Sequence, residues 1–189
     1  WSIRGYSDML NDTISFSRYF VENDTNVVDI GCSTGKLTQA IIEYNQDTAP
    51  DAMYVGVENA TGFVKDLDKR VGQIEKKVKD TSVDFVLDDV RNYTFENCYD
   101  GLNEGGGFIF AEKIDSTNSR IQDMMTFNYY DYKKLKFDYD DIMTKEQTLR
   151  HMLKPNTWDE IENMIYDAGF KTVEQFWRNH NFLGAIAIK

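Results

Sequence analysis

The run Val27-Val28-Asp29-Ile30-Gly31-Cys32-Ser33-Thr34-Gly35 constrains the fold more than any other stretch of the chain. A short apolar strand turns on two glycines and enters a helical pattern carried by Leu37, Ala40, Ile41 and Tyr44. Such a strand–turn–helix unit lets backbone approach a ligand closely, and it leaves the first amides of the helix unpaired. Ahead of it, Met9, Ile14, Phe16, Tyr19 and Phe20 have helical spacing. Beyond it, Met53–Glu58 reads as a strand, 63–79 as a charged helix and Ser82–Leu87 as a third strand ending in Asp88-Asp89. Strands alternating with helices predict a mostly parallel sheet covered on both faces.

The alternation falters after Val90. Only 16 residues separate it from the next clear strand, 107–112, whereas a strand, two loops and a helix need roughly 20 to 30. A segment is therefore expected to be absent near Cys98-Tyr99. Helices are predicted over 116–132 and 144–153. Another follows Asn156, taken as its cap, and ends at Gly169. Segments 171–178 and 182–188 close the chain as an antiparallel hairpin.

Composition narrows the function. With 41% hydrophobic and 14% aromatic residues among 189, the chain has core enough for one domain, predicted over 1–189. The 21 basic and 32 acidic residues leave a net charge of −11, which repels phosphate backbones, so no direct nucleic-acid partner is expected. Cys32 and Cys98 form neither a disulfide framework nor a zinc motif. That pattern fits the cytoplasm and predicts no metal. No apolar run reaches the length of a membrane span.

The glycine turn is not a phosphate-binding P-loop. Three residues rather than four separate Gly31 from Gly35, and Lys36 is followed by Leu37. The dinucleotide pattern Gly-x-Gly-x-x-Gly is missing too. What accompanies the turn is acidic: Glu58 ends the second strand, 23 residues after Gly35, where an α/β nucleoside site places the carboxylate that accepts the ribose hydroxyls. Asp89, at the end of the third strand, stands where an adenine amino group could be met. Each alone suits a solvated strand end; the three together mark one carboxyl edge of the sheet.

This order of elements, with the glycine turn, Glu58 and Asp89, resembles the class I S-adenosylmethionine-dependent methyltransferase fold, a Rossmann-like α/β architecture with a C-terminal antiparallel hairpin. Further motifs sharpen the likeness: Gly5-Tyr6-Ser7, Asp29-Ile30-Gly31-Cys32-Ser33, Gly56-Val57-Glu58-Asn59, Asp89-Val90-Arg91, Gly101-Leu102-Asn103 with Gly105-Gly106, Glu112-Lys113, Ala168-Gly169-Phe170 and Asn181-Phe182. Together these resemble the carboxy-S-adenosylmethionine synthase family. The resemblance implies an enzyme, dimeric in the family, that turns S-adenosylmethionine and prephenate into the carboxymethyl donor for wobble-uridine modification of tRNA.

By that resemblance Tyr6 lies near the amino-acid end of the ligand, Gly31 and Ser33 surround its methionine moiety, Glu58 holds the ribose, and Asp89 with Val90 meets the adenine. Asp29, Cys32, Gly35 and Asn59 complete the expected cofactor-binding set. Two departures stand out. The family's fourth-strand motif, Asn-Phe-Thr-Leu-Gln-Phe, is missing where the segment is expected to be absent. The family's carboxylate-gripping Arg is replaced by Glu146, with Lys145 and Arg150 as the nearby cations. Glu112, Lys113, Lys145, Glu146 and Arg150 are the expected substrate-side residues, and no catalytic residue is assigned.

Three functions remain open at this level: a transferase related to the carboxy-S-adenosylmethionine synthases, an ordinary small-molecule methyltransferase, and a nucleoside-sulfonium binding module without catalysis. For methyl transfer the cofactor carries the hard chemistry. Carboxyl transfer must in addition neutralise a new carboxylate, which an unopposed Glu146 would hinder. The aromatic run 127–132, with Phe137 and Tyr139, is read as helix packing rather than a ligand wall. His151 and His180 have no spaced partners, and Cys32 is read as a packing residue rather than a nucleophile.

Overall fold

The computed structural model describes residues 3–152 and 154–189, apart from the side chains of Arg150, His151 and Met152. The chain divides into two compact units, one of residues 10–101 and the other of residues 1–9 with 102–189.

In the unit of residues 10–101, β1 (Asn26–Ile30), β2 (Met53–Glu58) and β3 (Ser82–Leu87) form a parallel sheet in the order β1-β2-β3. The register pairs Ile30 with Val57 and Glu58 with Leu87, so all three strands end at one edge. The crossovers are α2 (Lys36–Asn45) and α3 (Val64–Lys77). Ile41, Ile42, Tyr54, Ile74 and Val78 pack as a buried cluster, with Val27, Val83 and Phe85 against it. Asn45, fully buried, ties α2 to the end of the first helix, α1 (Tyr6–Ser17), by donating to Ser17 Oγ at 2.8 Å.

In the other unit, β4 (Gly107–Lys113), β5 (Thr172–Asn179) and β6 (Phe182–Ile188) form an antiparallel sheet in the order β4-β6-β5. It carries α5 (Ser119–Lys133), α6 (Tyr139–Met152) and α7 (Trp158–Asp167). Leu183, Ala185 and Ala187 of the central strand are fully buried, as are Ile114 and Ile165.

Several expectations are corrected. The cap of α7 is Thr157, not Asn156: its hydroxyl accepts from Glu160 N while Glu160 accepts from Thr157 N, a reciprocal capping box. Helix α6 begins at Tyr139, five residues before the expected start; Asp140 and Asp141 belong to its first turn, where the helix dipole favours acidic groups. The expected end of that helix at Leu153 lies outside the described residues. Cys98 and Tyr99, beside which a segment is expected to be absent, are neighbours in α4 (Phe95–Gly101). Among the described residues β1 pairs with β2 alone and β4 with β6 alone. Val28, in the middle of β1, is 48% exposed, unusual for a strand of a parallel α/β sheet.

Candidate functional site

The glycine turn is built by backbone conformations that few other residues adopt. Gly31 and Gly35 have φ of 77° and 67°, and Ser33 between them has 52°. Both Gly31 N and Cys32 N donate to Val57 O, at 2.8 and 3.0 Å, pinning the turn to the end of β2. Gly35 is required twice over, because a Cβ there would sit 2.8 Å from the Phe85 ring and 3.0 Å from Arg70 Cγ. Arg70 braces the turn by donating from Nε to Thr34 O at 3.0 Å.

Glu58 is the hub of this edge. It is buried, its Oε2 accepts from Ser33 N and its Oε1 from Ala60 N, both at 2.9 Å. One carboxylate therefore fixes both the glycine turn and the loop after β2, and each oxygen keeps a lone pair for a ligand hydroxyl. Beneath the turn, Asp29 accepts from the Thr38 hydroxyl. Burial, and to a lesser degree the nearby Glu58 charge, push its carboxyl above the ordinary range despite the Thr38 bonds. The same causes, burial first and then Asp29 and Glu58, push the Cys32 thiol up to about 12. A buried thiol held neutral in this way suits packing better than nucleophilic attack.

At the end of β3, Asp89 caps a short 3-10 turn by accepting from Arg91 N, and it also holds the Arg91 guanidinium, with Nε 2.9 Å from Oδ1. Those bonds hold its carboxyl at about 2. Val90 is half-buried and Asn59 exposed. The structure thus brings Asp29, Gly31, Cys32, Ser33, Gly35, Glu58, Asn59, Asp89 and Val90 into one unit, at or beside the strand ends.

The other expected residues belong to the second unit. Tyr6 opens α1 and is exposed. Glu112 and Lys113 end β4, and Lys145 is exposed on α6. The side chain of Arg150 lies outside the described residues. The unopposed charge expected at Glu146 is corrected: the residue is buried, and its Oε1 accepts from Lys133 Nζ at 3.0 Å. The Lys133 ammonium also stands 4.3 Å from the centre of the Tyr129 ring. Burial opposes its charge, but bonds to Tyr129 and Glu146 outweigh that and hold it above the ordinary lysine range. Sequence reasoning missed Lys133 because its partner lies 13 residues away on another helix, a separation with no local signature.

Chemically, the strand ends form an acidic cradle. With Asp29 and Glu58 at the turn, a phosphate would be repelled, whereas a ligand with ribose hydroxyls and a positive centre is matched. Among the described residues no group of His, Cys, Asp and Glu could hold a metal ion.

These features are those of the S-adenosylmethionine-dependent methyltransferase fold. YcgJ from Bacillus subtilis superimposes with a TM-score of 0.61 at 12% identity, over 97% of this chain and 98% of that one. Human N-acetylserotonin methyltransferase, solved in complex with S-adenosylmethionine, gives 0.55 at 13% identity, over 98% of this chain and 52% of that one. No protein-family model matches the chain, but its curated relatives are specific. Carboxy-S-adenosyl-L-methionine synthase of Staphylococcus epidermidis is 32% identical over 90% of this chain and 82% of that protein. The synthase of Nautilia profundicola is 27% identical over the whole chain and 87% of that protein. The chain belongs to the carboxy-S-adenosyl-L-methionine synthase family. Alignments over 208 and 213 positions, against 189 residues here, leave about 19 to 24 positions with no counterpart in this chain.

Proposed function

We propose that this chain, acting as a single S-adenosylmethionine-binding domain, makes carboxy-S-adenosylmethionine from S-adenosylmethionine, with prephenate as the carboxyl source that the family resemblance implies. The observation that carries the ligand assignment is Glu58, whose buried carboxylate spans the glycine turn and the loop after β2. Its free lone pairs suit the two ribose hydroxyls, and Asp29 behind it favours a cationic ligand. Asp89, two residues beyond β3, is the residue proposed for the adenine end.

Prephenate loses its ring carboxyl as carbon dioxide and its hydroxyl as hydroxide as the ring becomes aromatic; the hydroxide takes a proton from the sulfonium methyl to give water, and the electron pair left on that carbon forms the new bond to the carbon dioxide. The sulfonium itself stabilises that carbanion, so the protein's part is to bind, orient and exclude water. Glu146 is already paired with Lys133 at 3.0 Å and is not a bare negative charge. The product serves wobble-uridine modification elsewhere in the cytoplasm; a net charge of −11 disfavours contact with tRNA by this chain itself. A homodimer is the expected assembly, read directly by light scattering.

Mass spectrometry of the ligand that copurifies with the protein tests the function. Carboxylated S-adenosylmethionine supports it; S-adenosylhomocysteine alone would point to methyl transfer instead. Calorimetric titration tests the site: Glu58→Ala should lose about tenfold or more in affinity for S-adenosylmethionine, since a charge-assisted contact is worth roughly 1.5–3 kcal/mol. Wild-type affinity would refute the ribose assignment.

A further inference from the structure

Arg70, in the middle of α3, brings a guanidinium to the glycine turn, and both lie in the unit of residues 10–101. The side chain is half-buried, yet among the described residues it forms no ion pair. Three neutral oxygens meet it instead. Nε donates to Thr34 O at 3.0 Å, and Nη1 donates to Gln39 Oε1 at 2.6 Å and to Gln73 Oε1 at 2.8 Å. A half-buried cation is stabilised best by a carboxylate, so charge pairing does not account for an arginine at this place.

What arginine supplies is geometry. Its planar fork ties three segments at fixed angles: the turn through Thr34, α2 through Gln39, and its own helix through Gln73. A lysine ammonium has no donor at the Nε position. The acceptor on α2 is itself set in place. Gln39 is buried, and its Nε2 donates to Glu43, which leaves Oε1 for Arg70. Glu43 also accepts from Lys77 Nζ at 2.8 Å. Burial opposes the Glu43 charge, but bonds from Lys77 and Gln39 outweigh that and hold its carboxyl below the ordinary range.

The two halves of the turn are held differently. Gly31 N and Cys32 N are fixed to β2 through Val57 O, and Ser33 N reaches Glu58. Beyond Ser33, Gly35 N donates back to Cys32 O at 2.8 Å within the turn itself, and the Thr34 carbonyl is tied to α3 by Arg70. The stem of Arg70 packs at the same place, its Cγ 3.0 Å from where a Cβ on Gly35 would stand. Without Arg70, this half keeps its local bonds and loses its hold on α3.

We propose that Arg70 is a positioning residue for the ligand: by fixing the Thr34 carbonyl it sets the Ser33–Gly35 half of the turn in the shape that receives the amino-acid chain of S-adenosylmethionine. It acts through the backbone of the turn, and the proposal rests on the reading that the turn and Glu58 hold that ligand.

The test sets two ligands against each other on the full chain by calorimetric titration. S-adenosylhomocysteine carries the amino-acid chain assigned to the turn, whereas adenosine has only the ribose and base assigned to Glu58 and Asp89. Arg70→Lys and Arg70→Met should each weaken S-adenosylhomocysteine about tenfold, the worth of a charge-assisted bond, and leave adenosine affinity unchanged. Lysine keeps the charge, so an equal loss in the two variants reads the fork and not the charge. A substitution that merely loosened the fold would weaken both ligands together, and retained adenosine binding shows that the variant is folded. Wild-type S-adenosylhomocysteine affinity in Arg70→Lys, or an equal loss for adenosine, would overturn the positioning role. A wild-type chain that binds neither ligand would overturn the ligand reading and this proposal with it.

Discussion

Gly31 and Gly35 look interchangeable in the sequence, and the structure separates them. Both need a positive φ, but a Cβ at Gly31 meets nothing within 4 Å, whereas at Gly35 it meets Phe85 at 2.8 Å. Gly31→Ala is therefore expected to lose about 1 kcal/mol from backbone strain alone. Gly35→Ala should lose about 2–4 kcal/mol, because overpacking adds to the strain; urea denaturation of the two variants checks the order. Asp89 offers a test in pH. Its bonds to Arg91 depress the carboxyl to about 2 from an ordinary 3.8, so whatever stability they give is present above pH 3.8 and is lost as pH falls through about 2. In an NMR titration Asp89 should show that low midpoint, and Arg91→Ala should return it to the ordinary range. An Asp89 that titrates unchanged in the variant would mean that Arg91 is not its partner in solution.

At the scale of elements, what is local was legible and what is tertiary was not. Strands β2 and β3 could be read to the residue, because short apolar runs bounded by turn residues leave little freedom. Glu58 followed, since a strand fixes where its last residue stands, and Asp89 lies two residues beyond Leu87, the last of β3. The true cap of α7 was hidden by a neighbour of equal propensity, and only the Glu160 partner three residues on distinguishes Thr157. α4, with seven residues, is too short for its period to show, and the Lys133–Glu146 pair depends on how two helices meet. We propose that the segment missing relative to the relatives is a strand that would pair with the outer edge of β1. The exposure of Val28 supports this. Hydrogen exchange gives the test: amides on the outer edge of β1 should exchange as unpaired groups, while those directed at β2 are protected. Uniform protection along Asn26–Ile30 would mean that something else covers that edge.

For the whole molecule the governing quantity is charge. A net charge of −11 sets up a potential that attracts cations and repels anions over roughly a Debye length, about 8 Å at physiological salt and 30 Å at 0.01 M. S-adenosylmethionine carries one net positive charge, from its sulfonium, and S-adenosylhomocysteine carries none. Because the acidic cradle of Asp29 and Glu58 adds to the global field, raising the salt concentration should slow association of the first ligand and leave the second nearly unchanged. An anionic co-substrate should show the opposite sign and associate faster as salt screens the repulsion. Stopped-flow association rates across that range, with both sulfur ligands on the same protein, measure the effect. Equal salt dependence for the charged and uncharged ligands would mean that the site does not feel the sulfonium, and the assignment of Asp29 and Glu58 as its electrostatic surroundings would fail.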